Sequence, residues 1–470
     1  MQQTVPKKLA GFDSRRLGQA LNSPRLNRRN SLLSLAQNYA PTPRMDSDEQ
    51  PVSRRSDHEP IVITGIGLMA SVGDDRESVW RAVRQGVSGV RKLNDFDRRR
   101  VGLDIAALAD VEVETPGQLR ATAMCLRTAM EAMTDARVNL AEVDCDRFGC
   151  AISGHMGDSS GIPLSDGSFP LLKPDEMPWW QQWMPNTNCA TVASRFGLHG
   201  PRLTHIAACA SGVVDIMSAA SAIRDDQCDI ALAGSAEAIH PLFAAGFQAM
   251  RVLAHHEDPS QASRPFDRGR TGFVMGEGSA MFILERLSHA QRRGARIYAE
   301  LSAYRLMTEA HHITSLDIDS HGLGRLIDAT LTDAELTPLD VGYINAHGTG
   351  THQNDIVETR GIRAAFGSAA EGIGISSTKS MLGHLINAAG SVELAITALA
   401  LRDGFAPPTV NLTDPDPECG LDCIPLVGRR GKLDSALKLS VAFGGHMAAV
   451  ALRRWDEAAG GIIYPHRLAA

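Results

Sequence analysis

Short apolar runs alternate along the chain with longer stretches in which apolar positions recur every three or four residues. The short runs predict strands at 61–66, 149–153, 203–208, 230–234, 279–287, 341–346, 373–376, 436–441 and 448–453. The longer stretches predict helices at 77–85, 119–136, 213–224, 324–334, 355–366 and 385–401. Strand and helix take turns, and from Ile297 the series begins again. Such a pattern implies α/β architecture with largely parallel sheets.

At 470 residues and 43% hydrophobic content the chain can bury a large core, and its length suggests two or three domain equivalents. No apolar run reaches the roughly 18 residues a membrane span requires, so a soluble protein is expected. Eight cysteines, at 125, 145, 150, 189, 209, 228, 419 and 423, show neither metal-ligand nor disulfide-framework spacing. A reducing, cytoplasmic setting is the simpler expectation. Cys419 and Cys423 lack a neighbouring Cys or His pair, which argues against a metal there.

The first 44 residues hold eight Lys or Arg against one acidic residue. A disordered basic extension, or translation starting at Met45, explains them more simply than a transit peptide. No secretory leader is visible. That segment carries +7 of a formal net charge of −7, so the remainder stands at about −14 and an acidic partner requires a local basic patch. Nothing supports nucleic-acid binding.

The chemistry gathers at three junctions. Cys209 ends the run 203–208 and opens Ala210-Ser211-Gly212 before a helix. At such an elbow, free backbone N–H groups and the helix dipole favour a thiolate and can receive an oxyanion. A lone cysteine is more often buried and inert. His347, in Asn345-Ala346-His347-Gly348-Thr349-Gly350-Thr351, follows a second strand, and His384, in Ser376-Ser377-Thr378-Lys379-Ser380-Met381-Leu382-Gly383-His384, follows a third. Three reactive groups at equivalent strand ends point to one site. His205, His255, His256 and His352 lack such motifs and read as structural.

From Pro60 to Trp455 the chain resembles the elongating β-ketoacyl-[acyl-carrier-protein] synthases, Cys-His-His condensing enzymes with the thiolase fold. Arg264-Pro265-Phe266-Asp267, Gly272-Phe273-Val274-Met275-Gly276-Glu277-Gly278, the opening 61–67 with Ser71-Val72-Gly73, and Ala442-Phe443-Gly444-Gly445 carry the resemblance beside the three junctions. It implies two similar α/β halves in five αβαβα layers: 59–299 with the nucleophile and 300–455 with the histidines, flanked by a basic extension at 1–58 and a tail at 456–470.

The resemblance further implies decarboxylative condensation of malonyl-[acyl-carrier-protein] with an acyl chain on Cys209, in fatty acid elongation or, alternatively, a polyketide or specialised lipid pathway. His347 and His384 would donate to the enolate oxygen, and Lys379 would hold both neutral, with Glu393 as its ion-pair partner in the site network. The backbone N–H groups of Cys209 and Phe443 would meet the tetrahedral oxyanion, and Phe443 would also gate the acyl chamber. Thr349 and Thr351 would bind the phosphopantetheine arm, capping of the next helix being their alternative role. Met156 would line the acyl pocket. Arg264 would dock the carrier protein, with Arg98, Arg99 and Arg100 nearby, unless it pairs with Asp267. The resemblance implies a homodimer and neither free cofactor nor catalytic metal. Some relatives show a monovalent cation near Asn345 and Glu393, a point the sequence leaves open.

Two departures stand out. Met447 occupies a family Asn position and cannot supply an amide's hydrogen bonds, so the glycine loop is expected to be less firmly fixed. The segment 157–183, with Trp179, Trp180 and Trp183, also differs, which bears on substrate range. A non-catalytic partner subunit normally lacks the nucleophile, and a degradative thiolase needs a second catalytic cysteine near the closing loop. Neither fits this chain.

Overall fold

The computed structural model describes residues 59–113, 118–154, 184–318, 321–456 and 461–462. The basic extension, Met156, the three tryptophans at 179–183 and most of the C-terminal tail lie outside these residues. The main strands are β1 (Ile61–Ala70), β2 (Phe148–Gly154), β3 (Arg202–Leu203), β4 (Ile230–Glu237), β5 (Gly278–Arg286), β6 (Ala299–Thr308), β7 (Tyr343–Asn345), β8 (Gly374–Ser376), β9 (Ser435–Ala442) and β10 (His446–Asp456). Five helices matter most: α1 (Arg120–Asp135), α2 (Ser211–Arg224), α3 (Gly322–Asp333), α4 (His352–Phe366) and α5 (Ala389–Asp403).

Side by side the strands run β8-β7-β9-β10-β6-β1-β5-β4-β2-β3, with Gly461–Ile462 paired to β10. The first five strands thus take the spatial order 3-2-4-5-1, and the second five repeat it as 8-7-9-10-6. Direction repeats as well. In the first half β3/β2 and β2/β4 are parallel while β4/β5 and β5/β1 are antiparallel. In the second, β8/β7 and β7/β9 are parallel while β9/β10 and β10/β6 are antiparallel. The two halves meet where Val62 pairs with Glu300 and Ile63 with Ala299.

Alternate side chains separate the layers. On β4, Ile230 and Leu232 face a cluster containing α1 residues, while Ala231 and Ala233 face one containing α2 and α5. On β9, Leu437 and Leu439 face α3 and α4, while Ala436 faces the α2–α5 side. Helix α5 is buried from Ala389 to Leu401, as an apolar helix between two sheets must be. Outer helices, sheet, α2 with α5, sheet and outer helices make the five layers of a thiolase-like fold.

Three expectations need correction. The sheet is mixed rather than largely parallel: strands covered on both faces look alike whatever their direction. A turn through Gly444 (φ 87°) and Gly445 (φ 76°) forces β9 and β10 antiparallel. Next, the run 203–208 is not a buried strand. Only Arg202–Leu203 pairs, and Ile206 is 64% exposed. Buried Asp215 accepts hydrogen bonds from the His205 backbone N–H at 3.1 Å and binds its Nδ1 at 2.7 Å, drawing that backbone out of the ladder. Finally, 385–401 is not one helix. Ile386 (φ 40°) sits in a tight turn before α5, as Ala208 (φ 45°) does before α2. Positive φ is uncommon for any residue bearing a Cβ and costliest at a β-branched one such as Ile386, so both elbows are held by their surroundings.

Candidate active site

Cys209 lies in the turn Ala208–Ala210 that starts α2, and its side chain is buried. Its Sγ and one ring nitrogen each of His347 and His384 lie within 4.8 Å of one another. The two rings meet edge to face, with centroids 5.3 Å apart. Phe273 packs edge-on against His384 at 5.0 Å. A cavity of about 520 Å³ opens onto these groups and is also lined by Thr349, Thr351 and Phe443.

Hydrogen bonds fix both tautomers. Lys379 Nζ approaches His347 Nδ1 at 3.3 Å and donates to the His347 carbonyl at 2.5 Å. An ammonium has only donors, so Nδ1 accepts and the ring proton sits on Nε2. The Ile386 backbone N–H donates to His384 Nδ1 at 3.1 Å, which gives the second ring the same tautomer. Burial, and then the Lys379 charge, hold both imidazoles well below their ordinary range. Two neutral rings therefore offer Nε2–H donors to the cavity.

The thiol departs from expectation. Burial pushes Cys209 up to about 12 against the pull of Lys379, so the resting group is a thiol rather than a thiolate. Desolvation outweighs the elbow's positive field.

Lys379 and Glu393 stand behind the histidines. Lys379 Nζ lies 2.5 Å from Glu393 Oε1, and both side chains are buried. Glu393 is thus part of the network, as expected, but is not among the cavity-lining residues. Two further charges escaped sequence reasoning. Lys438 on β9 brings its Nζ within 2.8 Å of Glu393 Oε2. Glu358 on α4 accepts the backbone N–H groups of His347 at 2.5 Å and Gly348 at 2.7 Å. Burial raises Glu358 to about 7. The signal was present in both cases, a charge at an inward phase of an apolar strand or helix.

Thr351 is the N-cap residue of α4 yet makes no side-chain capping bond, and its hydroxyl lies 2.8 Å from that of Thr349. Arg264 pairs with Asp267 at 3.1 Å and donates to Thr413 Oγ1 at 3.0 Å, with its side chain 16% exposed and off the cavity. Arg100 is held by buried Glu277 at 2.9 Å and Arg98 by Asp104 at 2.8 Å. The glycine loop is fixed without an amide at 447. Gly444 N–H donates to the Ile313 carbonyl at 2.7 Å, and Glu309 N–H to the Gly445 carbonyl at 2.9 Å. Met447 lies buried in the β10 ladder opposite Val441 and Met307.

Fold and site together define a thiolase-like condensing enzyme with one thiol and two neutral imidazoles at its centre. The chain belongs to the β-ketoacyl synthase family, whose N-terminal domain matches residues 58–290 and whose C-terminal domain matches 298–413. It is 38% identical over 415 residues to the tetracenomycin polyketide synthase ketoacyl synthase alpha subunit of Streptomyces glaucescens, covering 84% of this chain and 97% of that one. It is 36% identical over 411 residues to 3-oxoacyl-[acyl-carrier-protein] synthase 2 of Coxiella burnetii, covering 84% and 98%. A solved type II polyketide acyl-carrier protein in complex with its ketosynthase, bound to the hexaketide, superposes with a TM-score of 0.78 at 33% identity, covering 85% of this chain and all of that one. The chain is thus a ketosynthase-type condensing enzyme of fatty acid or polyketide synthesis. Among the described residues no helix is long and apolar enough to cross a membrane.

Proposed function

We propose that the chain is a 3-oxoacyl-[acyl-carrier-protein] synthase that condenses malonyl-carrier with an acyl chain held on Cys209. The convergence of Cys209 Sγ with two imidazoles, each fixed as an Nε2–H donor, carries this reading. In the first step Cys209 sulfur attacks the acyl-carrier thioester. The acyl–sulfur bond to the carrier breaks, and the Cys209 proton ends on the released carrier thiol.

Malonyl-carrier then enters. Its terminal C–C bond breaks, CO2 leaves, and the electron pair becomes an enolate whose oxygen receives the Nε2–H groups of His347 and His384. The enolate carbon attacks the Cys209 thioester, with the Cys209 and Phe443 backbone N–H groups receiving the oxyanion. Collapse expels the sulfur, which takes up a proton and leaves the 3-oxoacyl-carrier. Neutral imidazoles suit this step because they donate without needing to be charged.

Thr349 and Thr351, whose hydroxyls lie 2.8 Å apart at the cavity wall, take the phosphopantetheine arm. Arg264 is engaged by Asp267, so the exposed arginines at 98 and 99 take the carrier's acidic face; a homodimer is the working unit, and the cytoplasm its location. The repeated strand order supports two halves divided between β5 and β6, just ahead of the expected 299/300 boundary.

Fatty acid elongation is the proposed pathway; the 38% identity to a polyketide ketosynthase favours a polyketide chain as the second reading. Condensation of malonyl-carrier with acyl-carriers of graded length tests both. Steady extension of saturated chains supports elongation, whereas extension of poly-3-oxo chains alone refutes it. Cerulenin labelling tests the nucleophile: an adduct at Cys209 is expected, and labelling elsewhere or none favours a scaffold subunit.

A further inference from the structure

A second buried ammonium stands behind the thiol, the imidazoles and Lys379 without a task in the steps above. Lys438 sits mid-strand in Ala436-Leu437-Lys438-Leu439 with its side chain fully buried. An ammonium there is very costly unless oxygen atoms surround it. It donates to the Leu439 carbonyl and lies 2.8 Å from Glu393 Oε2. In the sheet register it stands opposite Asn345, whose buried Oδ1 has no hydrogen-bond partner among the described residues. Asn345 Nδ2 points its donor elsewhere, to Tyr343 OH at 3.2 Å.

The chain of contacts then runs to the reaction centre. Glu393 Oε1 meets Lys379, and Lys379 meets both the carbonyl and Nδ1 of His347. Glu393 thus bridges two buried ammonium groups, Lys379 on Oε1 and Lys438 on Oε2. Without Lys438, Glu393 Oε2 and the Leu439 carbonyl would form a cluster of acceptors with no donor. A free monovalent cation near Asn345 and Glu393, as some relatives show, does not fit here: it would need the oxygen that Lys438 Nζ already holds.

We infer that Lys438 is a positioning residue, a built-in ammonium that braces Glu393 and Lys379 behind the enolate-stabilising histidines and frees this chain from any need for a monovalent cation. The contacts of Lys438 lead through Glu393 and Lys379 to the ring and carbonyl of His347, the side of the site that meets the enolate oxygen. Loss of Lys438 should therefore impair decarboxylation more than thiol reactivity.

This rests on the condensation proposed above, and the wild-type rate of malonyl-carrier decarboxylation checks that reading by itself: a wild type that releases no CO2 sinks the condensation, whatever the variants do. The test compares wild type, Lys438→Ser and Lys438→Met as full chains in choline, potassium and ammonium chloride at equal ionic strength. CO2 release and iodoacetamide labelling of Cys209 are both measured. Wild type should be indifferent to the cation. Lys438→Ser should lose about tenfold to a hundredfold in decarboxylation in choline, recover in potassium or ammonium, and keep its labelling rate within about twofold. Lys438→Met, which fills the space without charge, should fall as far and not recover. The inference is overturned if potassium stimulates the wild type, if Lys438→Ser is fully active in choline, or if decarboxylation and labelling fall together.

Discussion

Glu358→Ala probes how the backbone that carries His347 is held. The carboxylate accepts two buried N–H groups, from His347 at 2.5 Å and Gly348 at 2.7 Å, and Gly348 is in the left-handed region at φ 39°. Each buried N–H left without an acceptor costs about 1–3 kcal/mol, so the alanine should lose about 2–6 kcal/mol of stability. That is a large part of the roughly 5–15 kcal/mol typical of a folded domain. Gln keeps one acceptor oxygen but turns donors toward the second N–H, so Glu358→Gln should lose about half as much. Activity should suffer too, since a shift of about 1 Å in a reacting group costs about a hundredfold. Urea denaturation and malonyl-carrier decarboxylation report the two effects. An alanine variant with both stability and decarboxylation of wild type would refute this role. Glu358 also has a pH signature. Burial raises it from 4.5 to about 7 in the folded chain, so the folded state binds this proton more tightly than the unfolded. Its contribution is whole below about pH 4.5 and is lost as pH rises through about 7, a slope that Glu358→Gln should remove.

Both histidines lie well below the ordinary 6.5, so the neutral donors persist beneath that value. Decarboxylation should show no acid limb near pH 6.5, and a limb there in the rate profile would contradict their neutrality. Lys379→Met should slow decarboxylation by about tenfold to a hundredfold and also slow Cys209 labelling, since the same cation acts on all three groups. Labelling that is unchanged would break that link. Iodoacetamide labelling of wild-type Cys209 should still be rising at pH 10, because burial holds the thiol at about 12; a plateau near pH 7 would restore the thiolate expected at the elbow. Gly212→Ala places a Cβ of α2 2.2 Å from Ser235 Oγ on β4, which bonds Ser391 Oγ on α5 at 2.6 Å. A stability loss of about 1–3 kcal/mol is expected by denaturation, and none would mean that the helix contact is slack.

The junction residues were legible because their chemistry and backbone demands coincide: Cys209, His347 and His384 each lie beyond an apolar run and are flanked by glycines or small residues. Lys379 was legible for the same reason. Lys438 and Glu358 were missed although each stands at an inward phase of its element, since a lone charge in a strand or helix is usually solvated. Apolar runs gave the strands but not their directions, because a strand covered on both faces has no polar side to orient it. The elbows at Ala208 and Ile386 were invisible for a different reason. Neither residue type signals positive φ, and the backbone there is set by packing and by distant partners such as Asp215. The duplicated strand order is a property of pairing, so only coordinates reveal that 3-2-4-5-1 recurs as 8-7-9-10-6.

The most direct measurement is peptide mapping of the acyl group after the protein meets an acyl-carrier, followed by a chase with malonyl-carrier. The expected result is acylation at Cys209 alone, discharged by the chase with release of CO2 and a 3-oxoacyl-carrier, and a His347→Ala/His384→Ala variant that acylates but does not discharge. Acyl groups on another residue, or discharge at the wild-type rate without the two imidazoles, would contradict it.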